Sequence, residues 1–166
     1  MSNVCMNKLE AEPHVLKALL NEEGNIDFNL IVPQPPNIET GACNGQHAEG
    51  VVCWYDWNIA NWGVKWNLDE GDESYDWNPD DGFLMFETPW NDPRQVIVEL
   101  ARKFKDEEIF FTASDPAMEW ASIYILRNGS FYIDSTVGED KCPDLYRIIV
   151  KDLWGSDYFD YGEKTD

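Results

Sequence analysis

The 166-residue sequence has few basic residues and few histidines. Twelve Lys and Arg residues stand against 32 Asp and Glu residues, which gives a formal net charge of −20 and a pI near 4.2. Proteins bind nucleic-acid phosphates mainly through Lys and Arg, so direct binding of DNA or RNA is disfavoured. The same charge favours a protein partner with a basic surface, because it steers association toward positive potential.

Long apolar runs are also missing. No stretch of about 18 apolar residues is present, so no membrane-spanning helix is expected. The first fifteen residues have neither the basic start nor the continuous apolar region of a secretory signal. We therefore expect the protein to stay in the cytoplasm, with no membrane partner.

Sequence motifs of common enzymes are absent: there is no GxGxxG, GxxxxGK[ST], GxSxG or HExxH. His14 and His47 are the two histidines, and Cys43-x3-His47-x5-Cys53 is the one local Cys/His arrangement. Its spacing matches no zinc-site class. We expect no catalytic residue, no metal site and no cofactor, with an enzyme using Cys43, His47 and Cys53 as the alternative.

The cysteines are few and scattered, without a CxxC pair. In a reducing compartment this pattern predicts free, mostly buried thiols. The four are Cys5, Cys43, Cys53 and Cys142.

Aromatic residues are abundant, and the segment from Cys53 to Trp66 holds four of the eight tryptophans. Each large ring buries on the order of 150–250 Å², so other parts of the chain must pack around this segment. For Trp62, Lys65 and Trp66, packing at the entry to a strand is the simpler interpretation. Recognition of a partner through exposed rings and a cation–π contact is the alternative.

Periodicity and turn residues predict the following elements. Strands are expected at 3–10, 64–68, 74–77, 83–87, 108–114, 120–127 and 130–136. Helices are expected from Glu12-Pro13 toward Gly24, at 48–60, after Asp92 as cap and Pro93 as first residue, and at 143–154; residues 27–32 should be extended. We expect one hairpin around the turn at 78–82 and another around Asn128-Gly129.

This order predicts an α+β protein with the βαββαβ plan of a ferredoxin-like fold. Its antiparallel sheet should carry helices packed on one face. A long insertion at about 24–62 follows the first helix, and an extra hairpin and helix close the domain. Residues 1–155 should form a single domain, and 156–166 an acidic, flexible tail.

Four short motifs resemble a known family. They are Cys5-x-Asn7-x-Leu9, Phe28-Asn29-x-Ile31-x-Pro33, Asn61-Trp62-Gly63-x-Lys65-Trp66, and Phe86-x-Thr88-x-Trp90 before a proline-led helix. Together they resemble the YubB ferredoxin-like family of unknown function, found on conjugative plasmids and in bacteriophages, over roughly residues 3 to 125. The resemblance implies a mobile-element protein in a bacterial host and implies no reaction. The acidic insertion and tail are not required by that pattern.

Seven acidic residues lie between positions 69 and 81, with no Lys or Arg among them. Alternate residues of a strand are about 6.6 Å apart, a scale comparable with successive phosphates of a nucleic acid. The cluster is either a solvated hairpin tip or a nucleic-acid mimic. The predicted partner-binding residues are Asp69, Glu70, Asp72, Glu73, Tyr75, Asp76, Trp77, Asp80 and Asp81. A second acidic group closes the chain at Asp152, Asp157, Asp160, Glu163 and Asp166.

These observations lead to one functional expectation and one rival. We expect a non-enzymatic protein that inhibits a host nucleic-acid-binding defence complex, of the anti-CRISPR or anti-restriction type, by binding its basic groove. The partner would be a host protein or ribonucleoprotein. The rival is a small structural or regulatory protein-binding module of a mobile element, in which acidity serves solubility alone.

Overall fold

The structure, a computed structural model, describes residues 3–42, 49–71 and 78–159. Within these ranges the chain forms seven strands and four helices. The strands are β1 (Val4–Glu10), β2 (Ile38–Glu39), β3 (Val52–Cys53), β4 (Phe83–Pro89), β5 (Ile109–Asp115), β6 (Trp120–Arg127) and β7 (Ser130–Gly138). The helices are α1 (Pro13–Lys17), α2 (Trp54–Asn61), α3 (Arg94–Lys103) and α4 (Pro143–Trp154).

Five strands form one antiparallel sheet in the order β4-β1-β5-β6-β7. Because β4 and β5 both run antiparallel to β1, they are parallel to each other, and α3 connects them across β1. The short strands β2 and β3 form a separate parallel pair. The predicted α+β class with an antiparallel sheet is therefore confirmed at this level.

Helices cover both faces of the sheet, so the prediction of helices on one face is wrong. Neighbouring residues of a strand point to opposite faces, and in β1 Cys5 belongs to the core cluster of α1 and α3, whereas Met6 belongs to the cluster of α4. The reason lies in α4, whose buried residues are spaced to form one apolar face. They are Tyr146, Ile149, Val150 and Leu153.

Three predicted elements differ from the observed ones. Residues 27–32 are not extended, because the Asp27 carboxylate accepts a hydrogen bond from the Asn29 N–H (2.9 Å) and starts a 3-10 turn at Phe28–Leu30. Residues 64–68 form no strand, and in place of a helix over 48–60, α2 begins at Trp54, after β3. The predicted strand at 74–77 lies outside the described residues.

The start of α3 is shifted by one residue from the prediction. Pro93 occupies the cap position and Arg94 is the first helical residue, and no side chain caps the helix. The Asp92 carboxylate is instead buried beside Tyr124. Asp92 therefore packs against the sheet and does not cap α3, the role that its position in the sequence predicted.

One of the cysteines departs from the predicted free thiols. Cys5 and Cys142 are free, but Cys53 is disulfide-bonded. The prediction rested on an assumed reducing compartment and on sequence spacing, and neither reports which sulfur atoms the fold brings together. Cys43 lies outside the described residues.

No helix in the described ranges has the length and apolar character needed to cross a membrane. Of the predicted flexible tail, residues 156–159 are described, and there the Phe159 ring packs against Tyr146 with their centroids 6.4 Å apart. Residues 160–166 lie outside the described residues.

Candidate functional site

The aromatic segment provides a packed base for the acidic residues that follow it. Trp62 is only 1% exposed, and its indole N–H donates to the Val32 carbonyl oxygen (2.8 Å). Its ring meets Phe28 and Trp57 edge to face, with centroids 5.7 and 5.4 Å apart. Trp62 is therefore a core residue, as the packing interpretation predicted.

Gly63 turns the chain out of α2 and against the start of α3. Its φ is +85°, and a Cβ placed there would lie 2.3 Å from the Gln95 Oε1 atom and 3.1 Å from the Asp92 carbonyl oxygen. A side chain at this position would be strained and would collide with its neighbours.

Trp66 differs from Trp62 because it remains 44% exposed. The Lys65 ammonium lies 5.4 Å from the Trp66 ring centroid and 5.9 Å from that of Tyr55, within the range of cation–π attraction. Trp66 is thus a surface ring, with a cation already beside it.

Side-chain amides fix the turn that carries Asp69 and Glu70. The Asp69 carbonyl oxygen accepts hydrogen bonds from the side-chain amides of Asn21 (3.2 Å) and Asn25 (3.1 Å), and the Gly71 N–H donates to the Leu68 carbonyl oxygen (2.9 Å). Next to this turn, Asn67 Oδ1 accepts from the backbone N–H of Phe28 (2.8 Å). The turn is therefore tied to the segment that follows α1.

These bonds bring a second acidic pair, Glu22 and Glu23, beside Asp69 and Glu70. All four residues are exposed. Sequence analysis missed Glu22 and Glu23 because more than forty positions separate the two pairs along the chain. No local pattern signals the pairing, because the Asn21 and Asn25 amides bond to backbone 48 and 44 positions further along the chain.

Asp80 and Asp81 lie near the C-terminal end of α1. Both are exposed, and Asp80 forms an ion pair with Lys17 (2.8 Å). We call the six described acids the acidic surface: Glu22, Glu23, Asp69, Glu70, Asp80 and Asp81. The other predicted binding residues, Asp72, Glu73, Tyr75, Asp76 and Trp77, lie outside the described residues.

A groove of about 460 Å³ lies along the acidic surface, lined by residues 66–71. The partly exposed Trp66 and the acids Asp69 and Glu70 are among its lining residues. A ring face and carboxylates together suit a cationic side chain, through cation–π and charge attraction. This arrangement could accept Lys or Arg side chains from a partner.

A polar cluster on the sheet ties α3 to β6 and β7. The Arg94 guanidinium donates to both carboxylate oxygens of Asp134 (2.8 and 2.5 Å) and stacks over Phe131, 4.4 Å from its ring centroid. Burial raises the pKa of Asp92 above its ordinary value, and burial next to Asp92 raises the pKa of Tyr124 to about 12. Because Arg94 pairs with Asp134 and stacks on Phe131 within the protein, we interpret the cluster as structural.

The Cys/His arrangement gains no support from the described part of the chain. Cys43 and His47 lie outside it, and the Cys53 sulfur is held in a disulfide and offers no thiolate. The Nε2 atom of His14 lies 3.1 Å from a carboxylate oxygen of Glu107. Among the described residues, no group of three or more His, Cys, Asp or Glu is placed to hold a metal ion.

Comparison with known proteins gives one informative likeness. The fold is similar to the crystal structure of the protein api92 from Yersinia pseudotuberculosis, which carries the family description DUF1281. The TM-score is 0.53 and the sequences are 23% identical, over 68% of this chain and 39% of api92. The chain thus spans about two fifths of the length of api92, and the likeness shows a shared fold.

No family model and no curated protein matches the sequence.

Proposed function

We propose that this protein is a non-enzymatic inhibitor that binds the basic surface of a host nucleic-acid-binding defence complex, of the anti-CRISPR or anti-restriction type. The observation that carries the proposal is the acidic surface itself. Three separate segments contribute its six carboxylates, and hydrogen bonds fix the turn that carries Asp69 and Glu70. A charged turn whose backbone is already held in place binds an oppositely charged surface with a smaller ordering cost than a flexible one.

Charge balance supports this direction of binding. The net charge is −20. Among the described ion pairs, one involves a residue of the acidic surface, and it joins Asp80 to Lys17. Uncompensated charges of one sign accelerate association with the opposite sign, and salt screens the effect over about 10 Å at 0.1 M. A nucleic-acid-binding groove presents the complementary charge.

We also infer membership of the YubB ferredoxin-like family, with a ferredoxin-like fold. In support, the resembling motifs contact one another: the Asn7 side-chain amide donates to the Phe86 carbonyl oxygen (3.1 Å) and to Thr88 Oγ1 (2.8 Å). Asn7 is fully buried. Residues that contact one another in the core are expected to be retained for the sake of the fold. The similarity to api92 is likewise a similarity of fold.

The proposal is tested by capture from a bacterial host extract on the immobilised protein and on two charge-reversed variants. One variant carries Glu23→Lys, Glu70→Lys and Asp81→Lys on the acidic surface. The matched control carries Asp106→Lys, Glu119→Lys and Asp140→Lys, at exposed acids elsewhere. Each reversal changes the charge by two, so three reversals bring both variants from −20 to −14.

The expected result is a nucleic-acid-binding protein retained by the wild type and by the control, lost from the first variant and released by moderate salt. Equal retention by both variants would contradict binding through the acidic surface. Retention of mobile-element proteins alone would favour the rival, a structural or regulatory module. Circular dichroism and thermal unfolding of both variants verify that the fold is intact.

A further inference from the structure

A second pocket lies at the opposite end of the sheet from the acidic surface. Its volume is about 300 Å³, and it is formed by the start of β1, the turn after β5 and the C-terminal end of α4. The acidic surface reaches the other end of β1, where the Ala11 N–H donates to the Gly82 carbonyl oxygen (3.2 Å). The pocket walls are largely apolar, from Val4, Pro116, Ala117, Trp154 and Tyr158.

Asp115 is the one charged residue among those that line this apolar pocket. Asp115 is 1% exposed, and its Oδ1 accepts hydrogen bonds from the backbone N–H groups of Ala117 (3.1 Å) and Met118 (3.3 Å). Its Oδ2 is buried and has no hydrogen-bond partner. A buried carboxylate oxygen without a partner is unfavourable, so this atom has unused capacity to bind a cation or a donor.

The neighbouring side chains donate no hydrogen bond to Asp115 Oδ2. The Trp154 indole N–H is already used, because it donates to Ser114 Oγ (2.9 Å). Burial, and to a smaller extent the nearby Asp115 charge, raises the pKa of the Tyr158 hydroxyl above its ordinary value. None of the ion pairs formed by the described residues includes Asp115.

We propose that this pocket binds an alkylguanidinium group, the chemistry of an arginine side chain. The guanidinium would donate to Asp115 Oδ2, and its apolar stem would lie along Val4 and Pro116. Guanidinium is weakly hydrated and stacks on aromatic rings, here Trp154 and Tyr158. Ammonium is more strongly hydrated and should bind less well in the same apolar surroundings.

The test is a titration of the ¹⁵N-labelled protein with n-butylguanidinium, followed by NMR. Saturable shifts are expected at the Trp154 indole N–H and at the amides of Ala117 and Met118. n-Butanol and unsubstituted guanidinium, each lacking one half of the ligand, should bind much more weakly. A short capped peptide with one arginine shows whether the natural ligand is a protein side chain or a free small molecule. Binding of both the peptide and n-butylguanidinium indicates a protein side chain, and binding of n-butylguanidinium alone indicates a small molecule.

Asp115→Asn retains an oxygen to accept from Ala117 and Met118 but removes the charge. We expect it to weaken binding by about tenfold or more, the factor for one charge-assisted hydrogen bond. Asp157→Asn is the matched control, since it removes one exposed charge beside the pocket and should leave the affinity unchanged.

Ala117→Leu provides an independent check, because it narrows the pocket without touching the carboxylate and should also weaken binding. The absence of saturable shifts in the wild type would overturn the proposal. Equal affinity of the wild type and Asp115→Asn would overturn it as well. This site does not depend on the acidic surface, so either can fail alone.

Discussion

Glu119 is a non-glycine residue held in the left-handed backbone region. Its φ is 57°, directly after the 3-10 turn at Pro116–Met118, and its side chain is exposed. For residues other than glycine this conformation costs roughly 1–2 kcal/mol. The strain belongs to the turn that shapes one wall of the Asp115 pocket.

Replacing Glu119 with glycine should therefore stabilise the protein. We expect Glu119→Gly to raise the free energy of unfolding by about 1 kcal/mol, because glycine adopts this conformation without the steric penalty. Urea denaturation measures the change. Glu119→Ala keeps the penalty and should show no gain, and an equal gain from alanine would mean that loss of charge is responsible.

Asp92 and Asp134 lie in one cluster but should respond to pH in opposite directions. Burial raises the pKa of Asp92 above its ordinary value of 3.8, so its ionisation opposes folding as the pH rises. The hydrogen bond from Arg94 lowers the pKa of Asp134, so the stabilisation from that group is present at neutral pH and is lost as the pH falls through its folded-state pKa.

The corresponding asparagine variants should separate these contributions. Relative to wild type, Asp92→Asn should gain stability as the pH rises toward neutral, by about 1.4 kcal/mol for each tenfold difference in proton affinity. Asp134→Asn should lose stability in the same direction. Unfolding measured from neutral pH to well below 3.8, the ordinary aspartate pKa, provides the test, because the contribution of Asp134 changes only below that value; parallel curves for both variants would refute these assignments.

At the level of elements, Trp62 and Trp66 give a matched pair within one motif. We expect Trp62→Phe to cost about 2–4 kcal/mol, because it leaves the buried Val32 carbonyl oxygen without its donor and removes packed volume. Trp66→Phe should change stability by about 0.5 kcal/mol or less, since Trp66 is largely on the surface. Similar costs at the two positions, measured by denaturant unfolding, would contradict their different roles.

Helix α4 should be an integral part of the fold, since its apolar face packs on one face of the sheet. Leu153→Ala removes a buried side chain from its apolar face and should cost about 2–4 kcal/mol. Ile148, on the same helix, is 65% exposed, and Ile148→Ala should cost about 0.5 kcal/mol or less. A single unfolding transition is expected for both, and separate loss of α4 in Leu153→Ala would argue against a shared core.

Elements with strong local signals were predictable from the sequence. β6 and α4 have the predicted bounds, and Asn128-Gly129 forms the predicted turn with φ values of 53° and 74°. Residues 27–32 and 64–68 were mispredicted because side-chain hydrogen bonds between these two segments, from Asp27 and Asn67, replace strand pairing. Periodicity within one segment does not report such contacts.

On the scale of the whole molecule, the sequence predicted the negative charge of the candidate site but only some of the residues that form it. Four of its acids lie close together in the sequence and were predicted as one cluster: Asp69, Glu70, Asp80 and Asp81. Glu22 and Glu23 join them only through the folding of the segment after α1. The Asp115 pocket was not predicted at all, because a single aspartate at a strand end carries no sign that one of its oxygens is left unpartnered.

Competition with nucleic acid tests the central claim most directly. The host protein captured on the acidic surface is loaded with labelled duplex DNA, and this protein is then added while bound DNA is followed by gel shift. We predict that DNA is displaced as the protein binds, and that the Glu23→Lys, Glu70→Lys, Asp81→Lys variant displaces far less than the Asp106→Lys, Glu119→Lys, Asp140→Lys control. A ternary complex that retains the DNA would contradict occupation of the nucleic-acid groove.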